Sequence, residues 1–287
     1  MLPCCIRLKE AMDTFSHMEQ QVAAFIINFP SEIPDMSIEE LAKACNTSVS
    51  SVVRLCKTAK YSGYKDFLRT LSADLAIHQI KDVTYSDIKP GDSVESIARN
   101  VCMSHIQTIE NTLSVLEIDE LQKAVDAIRS AKRIDFYGVG ASGIVAADTH
   151  NKFIRIGKIS MSSNDPHQQI LTASLLGRGD VAVLISYSGN TRDIVELADV
   201  VKRTKATLIS LTRCSKNELA QKADIRLYCS ASELMVRSGP MNSRIGSMSV
   251  IDILYTAVTS SLYQDVKEYL DKTQLVSARK HLHFNLG

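Results

Sequence analysis

The sequence predicts two domains in series: an all-α helix-turn-helix domain, then an α/β domain with a doubly wound, five-stranded parallel sheet. Three observations predict this. The 287 residues exceed the roughly 150 that one domain ordinarily holds. Residues 1–77 read as helix throughout, with no strand-like run. From about residue 132 onward, short β-branched runs alternate with helix-length amphipathic stretches, the signature of βαβ units. The expected layout is a helix-turn-helix domain at 1–77 with its motif at about 37–56. A linker follows at 78–92, then an α/β domain at 93–287 with its core at about 123–263.

In the helical domain, Ser37 followed by Glu40 forms a capping box that opens a short helix with Ile38, Leu41 and Ala42 facing inward. Asn46 suits the left-handed conformation of a tight turn. Ser48 then caps a second helix, with Val49, Val52, Val53 and Cys56 expected on its inner side. Two short helices joined this way are a helix-turn-helix, whose second helix enters the DNA major groove at its start. Ser48, Ser50, Ser51, Arg54 and Lys57 are the candidate DNA contacts. Residues 1–77 hold eight basic and nine acidic side chains, yet between 43 and 69 there are six basic against one acidic, a local +5. That is a phosphate-facing stripe in a neutral domain. The plainer alternative is a helical bundle with solvated lysines. Cys45 and Cys56 are expected to pack as small apolar residues.

Pro90-Gly91 marks a turn-forming linker. Ser93 with Ser96 opens a helix carrying Val94, Ile97, Val101, Ile106 and Ile109, and a second helix over Asp119–Ala131 leads into the first strand. Strands are predicted at 133–137, 158–161, 180–185, 206–211 and 225–228. The first runs into Gly138-Val139-Gly140-Ala141-Ser142-Gly143, a G-x-G-x-x-G pattern before a helix. A dinucleotide site wants an acidic residue about twenty positions on; Ser162-Ser163-Asn164 stand there and Asp165 lies twenty-seven past Gly138. A nicotinamide-linked oxidoreductase is therefore a weak third reading, and no cofactor is expected. The third strand runs into Ser186-Tyr187-Ser188-Gly189-Asn190-Thr191, hydroxyls at a strand-to-helix corner where amides favour an anion. Short hydroxyl side chains and free N–H groups suit a monoester phosphate, and the Gly-Lys-Ser/Thr of a Walker loop is absent. A merely capped turn is the plainer alternative. The last long helix is expected over about Asn242–Lys272. His281 and His283 lack a partner carboxylate or cysteine, so no metal is expected.

Phe15–Ala23, Met36–Ala42, Val52–Lys57 and Gly63–Phe67 together resemble the RpiR family of bacterial transcription regulators. The chain departs from that family at Asn46-Thr47, where Gly-Val is more usual. The resemblance implies a winged-type helical domain followed by a sugar-isomerase (SIS) domain, and the G-V-G-A-S-G and S-Y-S-G-N-T loops resemble those of SIS domains. It implies that Ser186, Ser188 and Thr191 hold a sugar phosphate with the backbone of Gly189 and Asn190, while Gly140 and Ser142 approach from the first loop. His167, in Asp165–Gln169, and Glu233, near Arg237, become candidate ligand contacts. The alternatives for these two are a surface histidine capping the next helix and a solvated loop carboxylate.

Composition sets outer bounds. Apolar residues are 45% and charged residues 23%, and the net charge is +1, which excludes wholesale disorder and any global field towards nucleic acid or membrane. No apolar run approaches the about eighteen residues of a bilayer span. Arg7, Lys9 and Glu10 interrupt any leader-like core, so no leader is expected. Seven scattered cysteines without C-x-x-C spacing point to reduced thiols in a cytoplasm. The expected protein regulates carbohydrate metabolism genes without being an enzyme. Its expected partners are operator DNA, a phosphorylated sugar and further copies of itself, as homodimer or homotetramer. A sugar-phosphate isomerase or lyase is the alternative, one with no use for a helix-turn-helix.

Overall fold

The computed structural model describes residues 2–80, 91–231 and 240–282. Glu233, Arg237, His283 and linker residues 81–90 lie outside them. Contacts divide the chain into two compact units. One is Met1–Val115 with Arg213–Lys216 and Cys229–Ser243; the other is Leu116–Thr212, Asn217–Tyr228 and Arg244–Gly287.

The first unit holds α1 (Pro3–Glu10), α2 (His17–Asn28), α3 (Ile38–Ala44), α4 (Val49–Thr58), α5 (Tyr64–Ile80) and α6 (Val94–Val115). Val22, Ile26, Leu41, Val52, Leu55, Phe67 and Leu71 form its core, each buried side chain contributing about 1.5–3 kcal/mol. Cys45 and Cys56 are buried in the same cluster, and burial pushes the Cys56 thiol up to about 11. All five strands lie between Arg133 and Cys229, so among the described residues this unit carries no β-wing of the kind the family resemblance implied.

Helix α6 departs from expectation in two ways. By contacts it belongs with the first unit, where it packs on α1, whereas the sequence boundary placed it with the α/β domain. Its buried face is also polar: Asn100, Ser104, Thr108, Asn111 and Thr112 are inside, while Val94, Ile106, Ile109 and Leu113 are exposed. Two of the inward polar groups, Thr112 and Ser104, meet partners from far along the chain. The Thr112 hydroxyl donates to the Ser230 carbonyl (3.1 Å) and Asn242 Nδ2 donates to Ser104 Oγ (2.7 Å).

The second unit holds α7 (Ile118–Ser130), β1 (Arg133–Tyr137), α8 (Ala141–Arg155), β2 (Ile159–Ser162), α9 (Pro166–Ser174) and β3 (Val181–Ile185). It continues through α10 (Arg192–Thr204), β4 (Thr207–Arg213), α11 (Glu218–Lys222), β5 (Ile225–Cys229), α12 (Asn242–Ser261) and α13 (Tyr263–Leu282). The predicted strands are all present, within about two residues of the expected bounds. The sheet is parallel, in the order β2-β1-β3-β4-β5. One face carries Tyr137, Ala182, Leu184 and Leu208 under Ala173 of α9 and Ile194, Leu197 and Val201 of α10. On the other, Phe136 meets Phe153 of α8 at 5.2 Å, and Phe153 meets Tyr255 of α12 at 5.5 Å between ring centroids. Helices thus cover both faces, which is why β3 is buried at every position.

The single helix expected over 242–272 is two, α12 and α13, meeting at Leu262 with a 109° bend. Neither Pro nor Gly stands at the break, so nothing local in the sequence marks it. Among the described residues, no single helix is long and apolar enough to cross a membrane.

Candidate functional site

The strand order places the expected crevice. Neighbours β1 and β3 are in register, with Tyr137 beside Leu184, but their crossovers leave in opposite directions, β1 towards β2 and β3 towards β4. Open α/β sheets bind ligands outside the carboxyl ends of the strands at this kind of reversal. The loops that follow, Gly138–Gly143 and Ser186–Thr191, therefore start side by side.

The first loop is built by close backbone approach. Gly140, the N-cap of α8, has φ +59° and ψ −127°, a region open essentially to glycine. A Cβ on Gly138 would lie 2.5 Å from the Ser142 carbonyl oxygen. Ser142 itself is half-buried in the first turn of α8. Gln169, buried on α9, clasps the loop from below: its side-chain amide Nε2 donates to the Gly138 carbonyl (2.9 Å) and to the Ser163 carbonyl (2.6 Å). A Cβ on Gly143 would meet Asn164 Oδ1 at 2.8 Å, so the loop after β2 abuts the same corner.

In the second loop Ser186 is buried, and its hydroxyl lies 2.9 Å from Thr191 Oγ1 while accepting from Gly189 N (3.2 Å). Ser188 Oγ accepts from Asn190 N (3.3 Å). Ser188 and Asn190 are exposed and Thr191 is half-buried. Beneath the loop, Gly189 has φ +68° and a Cβ there would fall 2.0 Å from Asn217 Oδ1. Asn217 caps α11, accepting from Ala220 N (2.8 Å), and its Nδ2 donates to Thr212 Oγ1 (3.2 Å). The loop also leans on α11 through Leu219 N to Gly189 O and Glu218 N to Asn190 Oδ1, both 3.0 Å. Sequence reasoning missed Asn217 and Gln169. A polar residue three before Ala220 signals a cap, but nothing local reveals what lies above it.

His167 is exposed in the first turn of α9. Asp165 is the residue that caps this helix, accepting from His167 N (2.8 Å) and Gln168 N (3.3 Å); the histidine does not cap it.

In the first unit the turn between α3 and α4 is as expected. Ser37 and Glu40 close the capping box at 2.7 and 3.2 Å, and Asn46 sits at φ +50°. At the start of α4 the hydroxyl of Ser48 lies 2.8 Å from that of Ser50 and 3.0 Å from that of Ser51. Arg54 Nη2 donates to Ser51 Oγ (3.3 Å). Ser48, Ser50, Arg54 and Lys57 are exposed. Ser51 is only 2% exposed, with its hydroxyl turned to Ser48 and Arg54 and not to solvent. Val49 is 39% exposed and Val53 half-buried, so neither joins Val52 and Cys56 in the core as the spacing suggested. Behind Arg54, the buried Glu19 accepts from Ser16 N (2.7 Å) and Thr58 Oγ1 (3.3 Å). Burial alone would raise the Glu19 carboxyl, but these bonds and the Arg54 charge hold it below the usual carboxylate range.

A helix-turn-helix joined in one chain to an α/β unit with a parallel sheet is the architecture of a two-domain DNA-binding regulator. Residues 5–78 match the helix-turn-helix domain of the rpiR family, and residues 127–257 match the SIS domain. An uncharacterised HTH-type transcriptional regulator of Caldanaerobacter subterraneus subsp. tengcongensis is 39% identical over 276 residues, spanning 95% of this chain and 96% of that one. The Bacillus subtilis HTH-type regulator YbbH is 34% identical over 260 residues, 89% and 90% of the two chains. The structure of Vibrio vulnificus NanR complexed with ManNAc-6P is similar with TM-score 0.60 and 27% identity, over 96% of this chain and 98% of that one. The chain belongs to the RpiR family of HTH-type transcriptional regulators.

Proposed function

We propose that the α/β unit binds a sugar monophosphate in the crevice at the β1/β3 reversal, and that binding changes the affinity of the helical unit for operator DNA without chemical turnover. The observation that carries this is the hydroxyl loop Ser186–Thr191, held by Asn217 and leading into the 13-residue helix α10, where a phosphate is favoured by helix N-terminal amides. Ser188, Asn190 and Thr191 are the groups open to ligand, with Gly140 and Ser142 across the crevice; Ser186 and Gly189 shape the loop. His167 is an exposed candidate at the rim. The NanR complex with ManNAc-6P supports a phosphorylated amino sugar as first probe, and the regulators that match nearly the whole chain support a regulator over an isomerase. The exposed apolar stripe of α6 supports assembly as a homodimer or homotetramer; the scattered cysteines, all free among the described residues, support a cytoplasmic setting.

The test is calorimetric titration with ManNAc-6P, hexose 6-phosphates and their unphosphorylated sugars. Phosphorylated forms should bind far more tightly. Ser188→Ala should remove one hydrogen bond to phosphate, about 1–3 kcal/mol, or roughly five- to 150-fold in affinity. Steady isomerisation of any sugar phosphate above about 1 per second would refute the regulator-only reading.

On the DNA side, Arg54→Ala should weaken operator binding and lower the salt slope of log K by about one unit if the guanidinium meets a phosphate. If it reads a base instead, the weakening should be sequence-selective, at about 1–3 kcal/mol. Gel-shift titration at several salt concentrations separates the two, and unchanged affinity would remove α4 from the groove.

A further inference from the structure

We infer that Val49 is a specificity-determining residue that reads the C5-methyl group of an operator thymine. This rests on α4 being the groove-reading helix, as proposed above.

At 100° per residue, the outward face of α4 runs from Val49 through Val53 to Lys57 and Ser50, and ends at Arg54. Val52, Leu55 and Cys56 are buried on the opposite side. The outward face therefore has an apolar edge, Val49 with the half-buried Val53, and a polar edge, Ser50, Lys57 and Arg54. The polar edge is tied down by the Ser48–Ser50, Ser48–Ser51 and Ser51–Arg54 contacts at 2.8, 3.0 and 3.3 Å. Val49 stands at the first position of the helix, 39% exposed. That is where groove-reading helices meet base edges.

Charge decides the occupant. The segment around this face, residues 43–69, carries six basic side chains against one acidic, which suits a phosphate-lined groove and repels a second copy of the same face. Within the major groove the apolar feature that marks one base is the thymine methyl. A β-branched side chain has essentially one rotamer in a helix, so the isopropyl group meets that methyl with little left to order.

The experiment selects operators from a random duplex pool with the full-length protein and with Val49→Ser, then replaces each thymine of the wild-type operator, one at a time, by deoxyuridine. One position per half-site should weaken wild-type binding about fourfold, the worth of one buried methyl group. The same replacement should leave Val49→Ser unaffected. That variant should bind the thymine operator about tenfold more weakly, with an unchanged salt slope and loss of the thymine preference at that position. The deoxyuridine arm uses the wild-type chain and so stands whether or not the variant folds. Deoxyuridine insensitivity at every position, or equal sensitivity in both proteins, overturns the proposal. If Arg54→Ala loses operator binding while these two arms are silent, α4 keeps its groove and only Val49 is misassigned. If the wild-type chain selects no common sequence, the groove assignment itself falls. A Val49→Ser variant that binds DNA normally but changes assembly state in sedimentation overturns the proposal in favour of a contact between copies.

Discussion

Gly189→Ala is expected to destabilise the α/β unit by about 3–6 kcal/mol and to abolish binding of the proposed sugar-phosphate effector. Two effects add. The residue sits at φ +68°, where an L side chain costs about 1–2 kcal/mol. The added Cβ would also fall 2.0 Å from Asn217 Oδ1 and 2.7 Å from Asn217 Cβ, too deep into that side chain for a rotamer change alone to relieve. Asn217 is buried and engaged to Ala220 N and Thr212. Displacing it removes a helix cap, about 1 kcal/mol, and strands buried polar groups at about 1–3 kcal/mol. Denaturant unfolding measures the loss. Gly189→Ala combined with Asn217→Gly should be more stable than the sum of the two single changes predicts, because the collision is then gone. A Gly189→Ala protein that melts like wild type would show that the loop is not built on Asn217.

The strands were legible because a buried parallel sheet needs short β-branched runs, and these stand apart from the amphipathic stretches around them. The helix-turn-helix was legible through its caps, since Ser37, Glu40, Asn46 and Ser48 act on backbone within a few residues. What local sequence could not show was what each face meets. Val49, Val52, Val53 and Cys56 have ideal spacing for a buried stripe, yet Val49 is 39% exposed and Val53 only half-buried. Helix α6 inverts the usual rule. Its apolar residues Ile106, Ile109 and Leu113 are exposed and its polar ones are buried against Ser230 and Asn242, partners more than a hundred positions away. The bend at Leu262 is similar, because the apolar spacing continues through it. The two loops of the candidate site were half legible. The glycines and hydroxyls announce the two loops, whereas Gln169 and Asn217, which hold those loops from below, act only through tertiary contact.

The same buried framework yields the second large expected effect, at Arg133. Asp135 is fully buried in β1, and Arg133 engages it through both Nε and Nη2 at 2.9 and 2.7 Å. The Tyr137 hydroxyl donates to Asp135 Oδ2 (2.9 Å) and lies 3.2 Å from Thr172 Oγ1 of α9. Burial, and then the Asp135 charge, push the Tyr137 phenol well above its ordinary range, so it serves as a neutral donor. Removing one partner of such a pair leaves an uncompensated charge, at about 3–5 kcal/mol. The Arg133 side chain is 26% exposed, and solvent screening places Arg133→Met near the lower end, about 3 kcal/mol. Arg133→Met with Asp135→Leu should recover most of that loss, because an apolar pair of similar volume leaves no buried charge. The consequence reaches the crevice through α9. Thr172 stands three residues from Gln169, whose amide holds the Gly138 loop at 2.9 Å. Arg133→Met should therefore weaken sugar-phosphate binding as well, and the double variant should restore it together with stability. Urea unfolding and effector titration on the three proteins decide the matter. A single variant as stable as wild type would mean that water already reaches Asp135. A double variant with restored stability but weak effector binding would mean that the network acts on the loop through its charge, and not through the placement of α9.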